Sequence, residues 1–288
     1  MQFRCVSQGT HMDRVAFVIP VHPPYFGYLY RFLESLPPNS AHVYVVFSSP
    51  EEAAVFLPQT YTTSIVIPQG LDYNMEGQMG IVDFKKFYAL SQLKDAPQDY
   101  FIVCDAETYL VAQNFTPENV LGKIESIFSN KMIYCGRGES GLTRPACDAF
   151  KGADYYVAKE LTEDFKLCFW WSDLPVYKRE HLPHFFEICP IPERIFSRPD
   201  NCIYMLYLAI YHGFTFVNVT PLVGVKQSLE HFATTNVEKI HALSRVGYGH
   251  SWVTNTQYII NHEVLNKLGT FLVFHLDRHS QPDFWDSQ

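Results

Sequence analysis

The stretch Tyr100-Phe101-Ile102-Val103-Cys104-Asp105-Ala106-Glu107 decides how this chain of 288 residues is read. An apolar run closed by polar residues reads as a strand buried at the centre of a sheet. Two carboxylates follow, two residues apart, and from a strand end both can bend toward one hard cation. Mg²⁺ or Mn²⁺ takes oxygen ligands and keeps places for water and phosphate oxygens. In open α/β sheets, ligands bind beyond the carboxyl ends of the strands. Position therefore makes Asp105 and Glu107 candidate metal ligands beside a nucleotide diphosphate. The spacing alone is a weak signal, because about three acidic-x-acidic triplets arise by chance at this acidic content. This is the only one in the chain. A solvated strand end is the alternative.

Outward from that stretch, strands and helices alternate. Val15 to Val21 reads as a buried strand broken by His22-Pro23-Pro24, and Tyr25 to Leu36 as an amphipathic helix ended by Pro37-Pro38. Val43 to Phe47 is a second strand, Glu51 to Leu57 a short helix and Ser64 to Ile67 a third strand. A glycine-containing loop spans Gly70 to Gly80, and the pattern predicts a helix over Val82 to Leu93 that carries Lys85 and Lys86. Pro117 to Phe128 is a further helix with proline in its first turn. This alternation predicts an α/β fold with a mostly parallel, doubly wound central sheet flanked by helices. The first loop holds no GxGxxG, which argues against a dinucleotide-binding dehydrogenase. No GxxxxGK[ST] loop occurs, which argues against a P-loop nucleotidase.

The second half is less regular. Met132 to Cys135 and Val176 to Lys178 read as strands, residues 136–152 as a loop, and His181 to Glu187 as a helix. An aromatic cluster, Phe169-Trp170-Trp171, precedes Asp173. Asp200-Asn201 leads into an apolar helix, Cys202 to His212, closed by Gly213, and Phe214 to Val219 reads as a late strand. No repeat, low-complexity tract or linker stands out, so one domain is expected.

Composition narrows the function classes. A net charge of −8 without a Lys/Arg run argues against nucleic acid as a partner, since phosphate contacts need clustered basic residues. The 23 Phe, 18 Tyr and 4 Trp build the core and offer platforms for a nucleobase or a sugar face. Seven cysteines without a CxxC pair, and no signal peptide, point to a reducing cytoplasmic setting. In that setting the sequons at Asn114 and Asn218 read as coincidences. No apolar run reaches the ~20 residues of a membrane span. Residues 1–11 differ from the rest. His11-Met12 suits a cloning junction, so they read as an expression-tag remnant with Met12 starting the natural chain.

The opening strand with its Pro/His loop, Val18-Ile19-Pro20-Val21-His22, resembles that of nucleotide-sugar-dependent glycosyltransferases with the GT-A (Rossmann-like) fold. Asp105-Ala106-Glu107 resembles their DxD metal motif, with Glu in the last place. The resemblance is architectural over residues 15–135 and thin beyond. Small single-domain enzymes of this type occur in bacteria and large DNA viruses, which extends the expected location to the host cytoplasm. It implies one domain over 12–288, with residues 12–135 as the donor half and 136–288 as the acceptor half. It implies transfer of a sugar from a nucleotide-diphosphate sugar, UDP by analogy, to a hydroxyl of a glycan or glycoconjugate, with Mn²⁺ or Mg²⁺ as cofactor.

The roles follow from the resemblance. Asp105 and Glu107 hold the metal. A third ligand from the C-terminal segment falls on His250 or His231, although these cations prefer oxygen. Pro20, Val21 and His22 lie under the nucleobase and ribose, contacting them largely through backbone groups, a simple strand-ending turn being the alternative. Lys86 pairs with the diphosphate as a point charge, a solvated helix residue being the alternative. A general base is needed if configuration inverts, and Asp200 and Asp173 are the candidates. Asp200 is alternatively a helix cap, and Trp170-Trp171 beside Asp173 alternatively core packing. Two other classes stay open. A sugar-1-phosphate nucleotidyltransferase shares sheet and metal chemistry but usually opens with a glycine-rich loop. A non-catalytic carbohydrate-binding protein would use the aromatics alone.

Overall fold

The computed structural model describes residues 11–69, 78–137, 146–165, 167–168, 176–190, 200–218, 251–253, 269 and 271–274. Asp173, Trp170, Trp171, His231 and His250 lie outside the described residues.

The core of the molecule is a five-stranded sheet. Its strands are β1 (Val15–Pro20), β2 (His42–Phe47), β3 (Thr62–Val66), β4 (Tyr100–Val103) and the later β8 (Val176–Lys178), in the order β3-β2-β1-β4-β8. The first four run parallel, and β8 joins antiparallel at the edge with Phe101 opposite Tyr177. The central strands are apolar throughout because both faces are covered. Along β1 the side chains alternate: Ala16 and Val18 enter one buried cluster, and Val15, Phe17 and Ile19 the other. The second cluster is roofed by α1 (Phe26–Ser35) and α4 (Pro117–Asn130), with Phe17 edge-on to Phe32 at 5.0 Å between ring centroids. The first lies under α3 (Gln78–Gln92) and two later helices, α6 (Leu182–Ile188) and α7 (Asp200–His212). This is one α/β domain with a mostly parallel, Rossmann-like sheet between helical layers.

Local chemistry sets the helix ends. The short α2 (Pro50–Ala54) is capped by the Ser49 hydroxyl, which accepts from the Glu52 amide, with Pro50 in its first turn. Thr116 caps α4 in the same way through Asn119 N–H, and Lys131 closes that helix in the left-handed region at φ 51°. Gly213 does so after α7 at φ 69°.

Two three-stranded sheets flank the main one. In the first, β5 (Tyr109–Leu110) pairs antiparallel with β11 (Leu272–Phe274), which pairs parallel with β10 (Ser251–Val253). In the second, β6 (Met132–Arg137) lies between β7 (Leu167–Cys168) and β9 (Thr215–Asn218).

The elements expected from sequence are present with ends shifted by a few residues. The helix over Val82–Leu93 begins at Gln78, and the Glu51–Leu57 helix stops at Ala54. Elements not anticipated are the short strands β5, β7, β10 and β11 and the helix α5 (Gly152–Phe165). Its apolar stripe is blurred because Tyr156 and Val157 face solvent while Thr162 is buried beside Ala158. Cys104, Cys147, Cys189 and Cys202 are buried thiols with no disulfide between them. Among the described residues no helix is long and apolar enough to cross a membrane.

Candidate functional site

Strand order locates the site. β1 has β2 on one side and β4 on the other, so the chain reverses its direction of winding between β1 and β4. In open α/β sheets the crevice beyond the carboxyl ends at such a switch point is where ligands bind. The residues that leave β1 and β4 there are Val21-His22 and Cys104-Asp105. Sheet pairing continues slightly past both strands, with Val21 N–H donating to Val46 O at 3.0 Å and Cys104 N–H to Val18 O at 3.2 Å. The two exits are thereby held side by side.

On the β4 side, Cys104 and Ala106 are buried while Asp105 and Glu107 are half-buried. A turn follows, with Thr108 N–H donating to Asp105 O at 3.1 Å, and the chain enters β5. Burial pushes the Cys104 thiol up, which leaves it an apolar packing group rather than a nucleophile.

The helix α3 supplies two buried cations with different tasks. Successive helical residues point about 100° apart. Lys86 Nζ lies 3.0 Å from Asp105 Oδ1, pairing the helix with the end of β4. Lys85, 3% exposed, turns to the β1–β2 side. Its Nζ donates to the Val21 carbonyl at 2.6 Å and sits 3.6 Å from Glu52 Oε2. Burial lowers the Lys85 pKa, and the Glu52 carboxylate draws it back toward its ordinary value. Glu52 in turn accepts from Ser48 N–H at 2.7 Å. One lysine, one carboxylate and one capping turn thus tie the ends of β1 and β2 to α3.

On the β1 side, both backbone polar groups of Val21 already have protein partners, and His22 O accepts from Tyr25 N–H at 2.9 Å. The Val21 N–H is thereby committed to the sheet and its carbonyl to Lys85. The half-buried His22 ring lies 4.4 Å from that of Tyr25, which is stacked at 6.0 Å on Tyr28. These three rings form an aromatic row that begins just beyond the end of β1.

The C-terminal segment reaches the same neighbourhood. Val273 in β11 pairs with Tyr109, two residues past Glu107, and Val111 N–H donates to Phe271 O at 2.9 Å. Asn119 Nδ2 fastens the approach to this strand, donating to Gly269 O at 2.6 Å and Asn114 O at 2.5 Å. His250 immediately precedes β10 in sequence and itself lies outside the described residues. Among the described residues no group of three or more His, Cys, Asp or Glu side chains is placed to hold a metal. Asp200 is the first residue of α7 rather than a residue preceding the helix, a shift of the size that helix assignments allow.

Of the residues that the sequence pointed to, Lys86 and Asp105 meet at 3.0 Å, and the Val21 exit of β1 lies beside the Cys104 exit of β4 that leads to Asp105 and Glu107. Glu52 was missed, although Ser49-Pro50-Glu51-Glu52 carries the S-x-x-E pattern of a capping box, which signals a structured turn at the end of β2.

No family model matches the sequence, and no curated protein is similar to it at a significant level. Among solved structures the chain is similar to mannose-1-phosphate geranyltransferase from Thermus thermophilus, with 11% identity over 72% of this chain and 70% of that one, and a TM-score of 0.35. A likeness at that score carries no argument, and the fold assignment rests on the strand order itself.

Proposed function

We propose that this chain is a metal-dependent glycosyltransferase of GT-A type that moves a sugar from a nucleotide-diphosphate sugar, UDP first, to a hydroxyl of a glycan or glycoconjugate. The observation that carries this reading is the pairing of Lys86 with Asp105 at the carboxyl end of β4, directly across the switch point from the Val21-His22 exit. An anionic oxygen suited to a cation and an ammonium suited to a phosphate, 3.0 Å apart, support the reading.

The donor set suits a hard divalent ion. Asp105 and Glu107 offer carboxylate oxygens from a half-buried turn, and such ions fill their remaining positions with water and phosphate oxygens. Mn²⁺ or Mg²⁺ bound there would act as a Lewis acid on the departing diphosphate. The rest falls to side chains. The Pro20–His22 loop floors the nucleoside, with His22 and Tyr25 as the ring surface on which a base stacks. Lys86 gives its charge to the diphosphate as the sugar–phosphate bond breaks. A carboxylate, Asp200 or Asp173, takes the proton from the acceptor hydroxyl as its oxygen attacks the anomeric carbon. His250 is the proposed third metal ligand.

A second reading is a sugar-1-phosphate nucleotidyltransferase. The Lys86–Asp105 pair serves it equally, since an ammonium beside a bound cation suits transfer at a nucleotide phosphate as well as departure of a diphosphate. Absence of a glycine-rich loop after β1 weighs against it, because His22-Pro23-Pro24 stands there.

Calorimetric titration with UDP, GDP, CDP and dTDP, each with Mn²⁺ and with EDTA, tests the shared core. Metal-dependent binding of one of them, lost in Asp105→Ala, is the expected result. Nucleotide affinity unchanged in that variant, with Mn²⁺ present, removes the metal assignment. Transfer from the matching nucleotide-sugar, set against pyrophosphate release from a nucleoside triphosphate plus a sugar 1-phosphate, separates the two enzymes. Binding of free sugar alone, without metal, would favour a non-catalytic carbohydrate-binding protein.

A further inference from the structure

The Lys86 and Asp105 side chains, 3.0 Å apart, are only 9% and 15% exposed. Charges so far removed from water are held by their counter-charges, and neither leaves without a replacement. On the reading above, a divalent ion needs the carboxylate that Lys86 holds. Ligand oxygens of such ions lie about 2.0–2.6 Å away, so an ammonium left in place would sit against the ion with like charge. The neighbouring Lys85 anchors α3 to Val21 and Glu52, which keeps the helix backbone where it is. The movement therefore belongs to the four-carbon stem of Lys86, which is flexible enough to swing while its helix stays put.

We propose that Lys86 is a resident counter-ion of Asp105 that leaves the carboxylate when a divalent ion binds and passes to the nucleotide diphosphate. The inference rests on the metal-site reading of Asp105 and extends it to the order of binding. Without nucleotide, the ion has to displace Lys86 from the carboxylate, so it binds weakly. With a diphosphate present, the released ammonium has an anionic partner, and both ligands bind more tightly. Because coupling is reciprocal, the ion strengthens nucleotide binding by the factor by which nucleotide strengthens ion binding.

The test is Mn²⁺ binding to the whole chain, read from the electron-paramagnetic signal of free Mn²⁺, with no activity required. Lys86→Met removes the competing cation, and its nucleotide-free form should bind Mn²⁺ ~10-fold more tightly than the unaltered protein, within the usual range of site coupling. Saturating UDP should strengthen Mn²⁺ binding in the unaltered protein by ~10-fold or more, and much less in Lys86→Met. Lys86→Arg keeps the charge and should stay close to the unaltered protein. Lys86→Gln provides a second neutral side chain should the methionine variant fold poorly, and melting in EDTA checks both. Asp105→Asn should abolish Mn²⁺ binding in either background. If Asp105→Asn does so while both neutral variants bind Mn²⁺ no more tightly than the unaltered protein, the counter-ion role is overturned and the metal site stands. If none of these proteins binds Mn²⁺, with or without UDP, the inference falls together with the metal reading.

Discussion

Lys85 Nζ reaches the carbonyl of Val21 at 2.6 Å across 64 residues of sequence, and closes on Glu52 at 3.6 Å. This contact fixes the exit of β1, the loop that the sequence marked for the nucleoside, to a helix and to the capping turn after β2. A buried lysine is tolerated there because it has a carbonyl and a carboxylate to meet.

Lys85→Met should therefore loosen the loop before it unfolds the domain. The expected cost is about 2 kcal/mol, from leaving the Val21 carbonyl and Glu52 without their buried donor. Nucleotide affinity should fall ~10-fold with it, the scale of one hydrogen bond to a charged group. Urea unfolding and calorimetric titration of the same samples measure the two effects, and a stability loss with unchanged nucleotide affinity would separate this clamp from the ligand site.

Removing the Asp105 carboxylate has two consequences that different substitutions separate. Asp105→Asn keeps a polar oxygen beside Lys86 but not the charge, and should lose metal-dependent nucleotide binding with a smaller loss of stability than Asp105→Ala. Asp105→Ala takes away that oxygen as well, beside a lysine side chain that is 9% exposed, and should cost a further 1–3 kcal/mol or so. Thermal melts of both variants in EDTA would show the difference, and identical melting points would mean that the polar oxygen kept by asparagine adds nothing to the fold.

Acid should weaken the contact between α6 and α7. Tyr204 hydroxyl oxygen accepts from Lys178 N–H at 3.1 Å, which leaves its proton for His181 Nδ1 at 2.9 Å. That imidazole is also stacked at 3.9 Å on His212. Burial, with His212 and Lys178 nearby, pushes the His181 pKa down from 6.5 to about 4. Since the folded value lies below the unfolded one, its contribution is fully present above about pH 6.5 and is lost as pH falls through about 4. The span corresponds to on the order of 3 kcal/mol. Chemical denaturation at pH 7 and pH 4 should show this loss, and His181→Phe should flatten much of it.

Asp200→Asn should leave donor binding intact and slow transfer by ~10²-fold or more, the usual scale for a general base. Stability should move by no more than about 0.5 kcal/mol, because aspartate and asparagine serve a helix start almost equally. Normal turnover would reduce Asp200 to the residue that opens α7.

Asn119→Ala should free the C-terminal segment without disturbing the main sheet. The amide bridges Asn114 O and Gly269 O, and Gly269 sits at φ 61°, where an added Cβ would lie 3.3 Å from Asn119 Oδ1. The expected loss is about 1–2 kcal/mol, confined to β10 and β11. Limited proteolysis and amide exchange should show faster cleavage and exchange there, with β1 and β4 still protected.

Legibility from sequence followed the range of the forces involved. The strands β1, β2 and β4 could be read because each is an unbroken apolar run, the pattern that burial on both faces demands. Asp105, Glu107 and Lys86 could be proposed because position at a strand end or on a neighbouring helix is local information. The helix α5 escaped notice because Tyr156 and Val157 lie outward and Thr162 inward, so that its stripe is mixed.

By itself the sequence determined the alternation of strands and helices, the apolar centre of the sheet and the placing of two carboxylates at the end of β4. These depend on periodicity and on neighbours a few residues away. Only the tertiary structure decided that β1 lies between β2 and β4, that β8 closes the sheet antiparallel, and that Lys85 serves Val21 while Lys86 serves Asp105. Those outcomes depend on which strands pair across long stretches of chain and on which way two successive helical side chains turn once α3 is laid on the sheet, and burial of charge lets each lysine stay only where an opposite partner awaits it.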